Sequence, residues 1–107
     1  MAQALQEDRV VSCGLIVTEI LRGARNSKEQ KILREHFQIL ESISMEEWDY
    51  FDAASMGFEL ARKGITVKTI DLLIARLALK HHLRLLHQDG DFELIAKYFS
   101  LKTQFER

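Results

Sequence analysis

The chain has 107 residues, of which 47% are hydrophobic and 29% charged, with a formal net charge of -1. That length suits one domain with a real core, residues 1–107, and the composition excludes a disordered tract. So balanced a charge exerts no global pull on nucleic acid, so any RNA contact has to come from a local basic patch.

Met1-Ala2-Gln3-Ala4-Leu5-Gln6-Glu7 consists of strong helix formers with no capping residue ahead of them, so the chain is expected to begin inside a helix. Val10 to Cys13 reads as a short buried strand with Gly14 as its exit, followed by a helix from Leu15 to Ala24. The lone Cys13 cannot close a disulfide within the chain, and its apolar setting points to a buried, inert thiol in a reducing cytoplasm. Ser27 is placed to cap a second helix, Lys28 to Leu40, in which Ile32, Leu33, Phe37 and Leu40 form one apolar face. Ser44 with Glu46-Glu47 opens a third helix through Trp48, Phe51, Met56 and Leu60, which Gly64 stops.

From Asp71 to Leu79 apolar residues take most of the helix circumference, interrupted by Asp71 and Arg76, so this helix should be buried on more than one side. Thr69 is placed to cap it. Leu83 to Leu86 reads as another buried strand, Asp91 as the cap of a helix from Phe92 to Phe99, and Leu101 to Phe105 as a last strand. Short strands alternating with helices, with no proline, predict an α/β fold with a mainly parallel sheet and helices on both faces. No charged-then-apolar leader is seen and no apolar stretch approaches the roughly 20 residues that cross a bilayer, so a soluble cytoplasmic protein without a membrane partner is expected.

Three acidic positions sit in apolar sequence: Glu19 within Ile16 to Leu21, Asp71 within Ile70 to Ala75, and the Asp89/Asp91 pair after Leu83 to Leu86. Ionised carboxylates withdrawn from water need a cation, so a divalent-metal site is the first expectation. In parallel sheets ligands bind at the carboxyl ends of strands, where Gly14 and Asp89 fall, so Glu19 is placed to meet Asp89 there.

The segments Val17-Thr18-Glu19-Ile20-Leu21-Arg22-Gly23-Ala24-Arg25, Thr69-Ile70-Asp71-Leu72-Leu73-Ile74-Ala75 and Leu85-Leu86-His87-Gln88-Asp89-Gly90-Asp91-Phe92-Glu93 resemble, in order and spacing, a PIN domain of the VapC toxin kind. The resemblance runs from about Val10 to Phe105. It implies a three-layer α/β/α fold and a metal-dependent endoribonuclease, the toxin of a toxin-antitoxin pair. Glu19, Asp71 and Asp89 then match the catalytic and metal-binding acids, with Asp91 nearby. Such hard oxygen donors suit Mg²⁺ or Mn²⁺. The implied partners are RNA, a cognate antitoxin and a second copy of the chain.

The family also carries an aspartate at the end of a first central strand, and the chain shows no match for either. Asp8, just before Val10, does not correspond to it. The expectation is therefore an N-terminally truncated chain whose sheet gap is closed by other means, strand exchange between copies among them. The rival reading is a catalytically inactive PIN-like module for interaction or dimerisation.

Several residues carry simpler readings. Asp71 in a first helical turn is rewarded by the helix dipole alone. Arg22, Arg25 and Lys28 are RNA-contact candidates that a solvated helix end also explains. His81-His82 have no partner at zinc spacing. Trp48, Phe51, Met56 and Phe58 at helical intervals fit core or interface better than a base-stacking platform.

Overall fold

The computed structural model describes residues 3–6, 9–87 and 90–105. Five strands and five helices follow in the order β1 (Gln3–Gln6), β2 (Arg9–Cys13), α1 (Gly14–Arg22), α2 (Ser27–Gln38), β3 (Glu41–Ile43), α3 (Glu47–Arg62), α4 (Thr69–Lys80), β4 (Arg84–His87), α5 (Gly90–Ala96) and β5 (Lys102–Phe105). The sheet order is β3-β2-β1-β4-β5. β2 pairs with β3 and β4 with β5 in parallel, whereas β1 is antiparallel to both its neighbours. Four strands therefore run one way and the central one runs against them.

That central strand corrects two expectations. The described part of the amino-terminal segment is strand instead of helix, and the place between β2 and β4, expected to be a gap, is taken by the chain's own Gln3–Gln6. A seven-residue helix without a cap is marginal in water, because nucleation costs more than so few hydrogen bonds return. The facing edges of β2 and β4 offer the same backbone two ladders at once. Ala4 pairs with both Val11 and Leu85, and Leu5 with both Val10 and Arg84. Satisfying those buried N–H and C=O groups outweighs a propensity preference of tenths of a kcal/mol per residue.

Helix positions follow the apolar periodicity, but the caps differ from those expected. Asn26, not Ser27, caps α2, its side chain accepting the Glu29 N–H at 2.8 Å. Glu46 instead of Ser44 caps α3, and Asp49 closes the box by accepting the Glu46 N–H at 2.8 Å. Lys68 precedes α4 in the cap position expected of Thr69, which begins the helix. α5 begins at Gly90, so Asp91 lies inside it, where its Oδ2 accepts the Lys68 N–H at 3.0 Å. Gly64, with φ of 78°, ends α3 as expected, and Ile65 N–H returns to the Leu60 carbonyl at 2.9 Å.

α4 is the hub, packed against α1, α3, α5 and β4. Its Leu72, Ile74, Ala75, Leu77 and Ala78 are buried together with Val11, Ile16, Met56, Leu60, Leu85, Phe92 and Ile95. α3 approaches it so closely that a β-carbon on Gly57 would stand 2.8 Å from Leu72 Cδ1. Gly57→Val should therefore cost about 1–3 kcal/mol by overpacking, read as a lowered thermal midpoint with unchanged helix content. The opposite face of α3 meets solvent: Trp48, Phe51 and Phe58 are exposed while Met56 is core. α2 is only a partial cover, with Leu33 and Phe37 half-buried and Ile32 exposed.

Asp49 is the most deeply buried charge among the described residues, with its side chain 0% exposed. Arg76 Nε donates to its Oδ1 and Lys80 Nζ to its Oδ2, each at 3.2 Å. Arg76 also reaches Asp52 at 2.8 Å and Lys80 reaches Glu46 at 3.4 Å, so the first turn of α3 is clasped to the second half of α4. Burial alone would raise the Asp49 carboxyl, but the Glu46 N–H, Lys80 and Arg76 outweigh it and hold the group below the ordinary 3.8.

Since the folded value lies below the unfolded one, this contribution is complete above the ordinary value and drains away as pH falls through the folded value. Thermal melts should lose stability on acidification below about pH 4, and Asp49→Asn should flatten that part of the profile.

Candidate metal and RNA cleft

α1 starts directly at the end of β2, so the parallel-strand edge expected to hold a ligand is the edge where Cys13 hands over to Gly14. Along α1, Ile16 is buried and Ile20 half-buried, while Glu19 is exposed between them. Apolar neighbours in sequence therefore did not mean burial for Glu19: on a helix, Ile16 and Ile20 turn inward and leave Glu19 at the rim. Asp71 differs. In the first turn of α4 its side chain is only 5% exposed, and its Oδ2 lies 3.6 Å from Lys68 Nζ. The helix N-terminus favours the carboxylate, and the ammonium partly balances it.

Glu19 and Asp71 line one open cleft of ≈ 470 Å³ together with Arg22, Lys68, Thr69 and Ile70. Glu19 also borders a second hollow of ≈ 390 Å³, between α1, α2 and α4, floored by Ile16, Ile20, Leu33 and Ile74 with Glu29 on its rim. It is thus the ridge between a polar cleft and an apolar groove. Asp89 lies outside the described residues. Asp91 does not line this cleft, but its bond to the Lys68 N–H ties the start of α5 to the start of α4 beside Asp71.

Of the three basic candidates, only Arg22 lines the cleft. Arg25 is held by Glu29, Nε to Oε2 at 2.8 Å, and Lys28 is exposed in the first turn of α2. Arg25 in turn draws the Glu29 carboxyl below its ordinary value. Burial pushes the Cys13 thiol up, countered in part by the N–H groups of Ile16 and Leu15, and the Glu19 charge adds to the rise. Cys13 is therefore a protonated core residue, as its sequence setting suggested.

Two carboxylates in an open cleft supply hard oxygen donors and leave remaining positions to water, which is how Mg²⁺ prefers to be held. Among the described residues no group of three His, Cys, Asp or Glu converges on one point. β1 bears on this directly. Running antiparallel, it brings its amino end, Gln3 opposite Leu86, toward the edge where β2 meets α1. A parallel strand would bring its carboxyl end there instead. The residue that sequence reasoning passed over is Lys68, whose side chain faces Asp71 and whose N–H is held by Asp91.

Known proteins agree with this architecture. The PIN domain profile matches residues 1–98. Chains from the structures of VapBC-1 from nontypeable Haemophilus influenzae and of VapBC2 from Rickettsia felis, the latter bound to a DNA fragment from their promoter, superimpose with TM-scores of 0.73 and 0.71. They are 18% and 21% identical, covering 94% and 88% of this chain and 77% and 73% of theirs. The chain belongs to the PIN domain family.

Within that family its relatives include VapC ribonucleases. Ribonuclease VapC11 of Mycobacterium tuberculosis and a VapC ribonuclease of Mycobacterium bovis are each 36% identical over 97 residues, 89% of this chain and 72% of those proteins. No described helix is long and apolar enough to cross a membrane.

Proposed function

We propose that the chain is a metal-dependent endoribonuclease, the toxin of a toxin-antitoxin pair acting in the cytoplasm, with Glu19, Asp71 and Asp89 as its metal-binding acids. The observation that carries this reading is the shared cleft, in which Glu19 and Asp71 stand with the cationic Arg22 and Lys68. Asp71 is nearly buried and set by the α4 N-terminus, so one donor is fixed in place, while the rim position of Glu19 lets it adjust to a ligand. Mg²⁺ or Mn²⁺, when bound, activates a water and neutralises charge on the scissile phosphate. Arg22 and Lys68 are placed to take neighbouring phosphates of the RNA backbone, which positions the strand without reading its sequence. A cognate antitoxin and a second copy of the chain are its protein partners.

The antiparallel β1 favours a second reading, an inactive interaction module, because the described strand brings no acid to the site edge. Cleavage of a fluorogenic RNA with Mn²⁺ or with chelator, paired with antitoxin pull-down, separates the two. Metal-dependent cleavage supports the enzyme. Antitoxin capture with no cleavage at any metal concentration supports the module.

A further inference from the structure

Lys68 holds the position just before α4, a place that disfavours a cation. A residue there is best suited to accept the leading N–H groups of the helix, which an ammonium cannot do, and the positive end of the helix dipole repels it. Its side chain makes no cap bond. The backbone is nevertheless fixed on both sides: the N–H donates to Asp91 Oδ2 at 3.0 Å, and the carbonyl accepts the Leu72 N–H at 3.1 Å. From that anchor the side chain, 65% exposed, lines the cleft with Glu19, Arg22 and Asp71, its Nζ 3.6 Å from Asp71 Oδ2.

Such a setting fits an exchangeable cation. A carboxylate only 5% exposed calls for a positive neighbour. Yet 3.6 Å is beyond hydrogen-bond length, and an ion pair with one partner so exposed is weak, so little opposes its separation. A divalent ion bound to Asp71 Oδ2 at roughly 2.1 Å would stand within about 6 Å of the ammonium, inside the Debye length of about 8 Å, so salt screens their repulsion only in part. The two cations therefore compete for one carboxylate. The anchored backbone keeps the lysine beside the cleft while its flexible stem swings, and a phosphate of bound RNA is then the anion it meets.

We propose that Lys68 is the resident counterion of Asp71, exchanged for the metal ion and passed to an RNA phosphate, so that metal and RNA each tighten the binding of the other. The inference rests on the ribonuclease reading of the cleft and adds to it a positioning residue that couples the two ligands. By linkage, the factor that metal adds to RNA affinity is the factor that RNA adds to metal affinity. A lysine that stayed in place would act on each ligand independently and leave that factor unchanged.

The test measures Mn²⁺ binding by electron paramagnetic resonance at fixed ionic strength, without and with a saturating 2′-O-methyl RNA oligomer that resists cleavage. In the unsubstituted chain the oligomer should tighten Mn²⁺ binding about fivefold or more. Lys68→Met should bind Mn²⁺ more tightly than the unsubstituted chain when the oligomer is absent, and adding the oligomer should then tighten it little further. Lys68→Arg, which keeps the charge, should restore most of the coupling. Independent binding of Mn²⁺ and oligomer to the unsubstituted chain would overturn the proposal. So would a folded Lys68→Met chain with unchanged or weaker Mn²⁺ binding, or with undiminished coupling. Glu19→Gln and Asp71→Asn tell the two readings apart. If they weaken Mn²⁺ binding while Lys68→Met behaves like the unsubstituted chain, the counterion role fails and the metal site stands; if neither weakens it, the metal site itself fails.

Discussion

Asp49→Ala is expected to cost about 3 kcal/mol of stability, the largest loss from any single substitution at a charged residue. The carboxylate is wholly enclosed and receives a guanidinium, an ammonium and a backbone N–H. Removing it leaves two cations facing a void and frees the first turn of α3 from its cap. The figure stands at the low end for a broken buried pair because Arg76 and Lys80 are 26% and 27% exposed and can recover some hydration. For a domain this size the thermal midpoint should fall by roughly 10–20 °C. If the loss is electrostatic, replacing all three groups by apolar residues of similar volume should recover much of it, since uncharged replacements of buried ion clusters are often neutral or better. A loss unchanged in the triple variant would mean that the acid acts through its cap alone.

Glu19→Gln and Asp71→Asn are each expected to reduce metal-dependent RNA cleavage on the order of 100-fold or more while leaving the fold intact. Losing even a second-shell partner of a bound metal typically costs about 10–100-fold, and these residues are proposed as direct ligands. Both amides keep the size of the acid and remove its charge, so circular dichroism should be unchanged. The two sites should differ in stability. Glu19 is exposed on α1, and its substitution should be neutral in melts. Asp71 is nearly buried beside Lys68 at a helix start, so Asp71→Asn should lose part of the dipole contribution, about 0.3–1 kcal/mol. Activity retained in both variants would remove the carboxylates from the mechanism.

Much of the fold is legible in the residues because helical periodicity and short apolar runs report burial directly. α4 shows as a helix apolar around most of its circumference, and it is the hub. β1 is illegible for the opposite reason: its strand state depends on the two ladders that β2 and β4 offer, a tertiary demand that local propensity does not carry. Glu19 shows how sequence neighbours mislead on a helix, where Ile16 and Ile20 are inward and the acid between them is not.

Asp49 hides among Glu46 and Glu47 as if it served only the helix dipole, and its partners lie 27 and 31 residues on. One signal could have found it. Arg76 and Lys80, four residues apart on an otherwise apolar helix, share a face and require an anion wherever that face is covered. Arg76, which interrupts the apolar run of this helix, is thus half of a clasp. Asp71 and Glu19 were legible as a pair because their segments match the family, and the fold places both on one cleft.

The most direct measurement of the central claim is a Mn²⁺ titration of the folded chain followed by calorimetry or electron paramagnetic resonance, repeated on Glu19→Gln and Asp71→Asn. The cleft requires saturable binding of Mn²⁺ that each substitution weakens at least roughly tenfold. Binding that is absent, or that neither substitution changes, would contradict it.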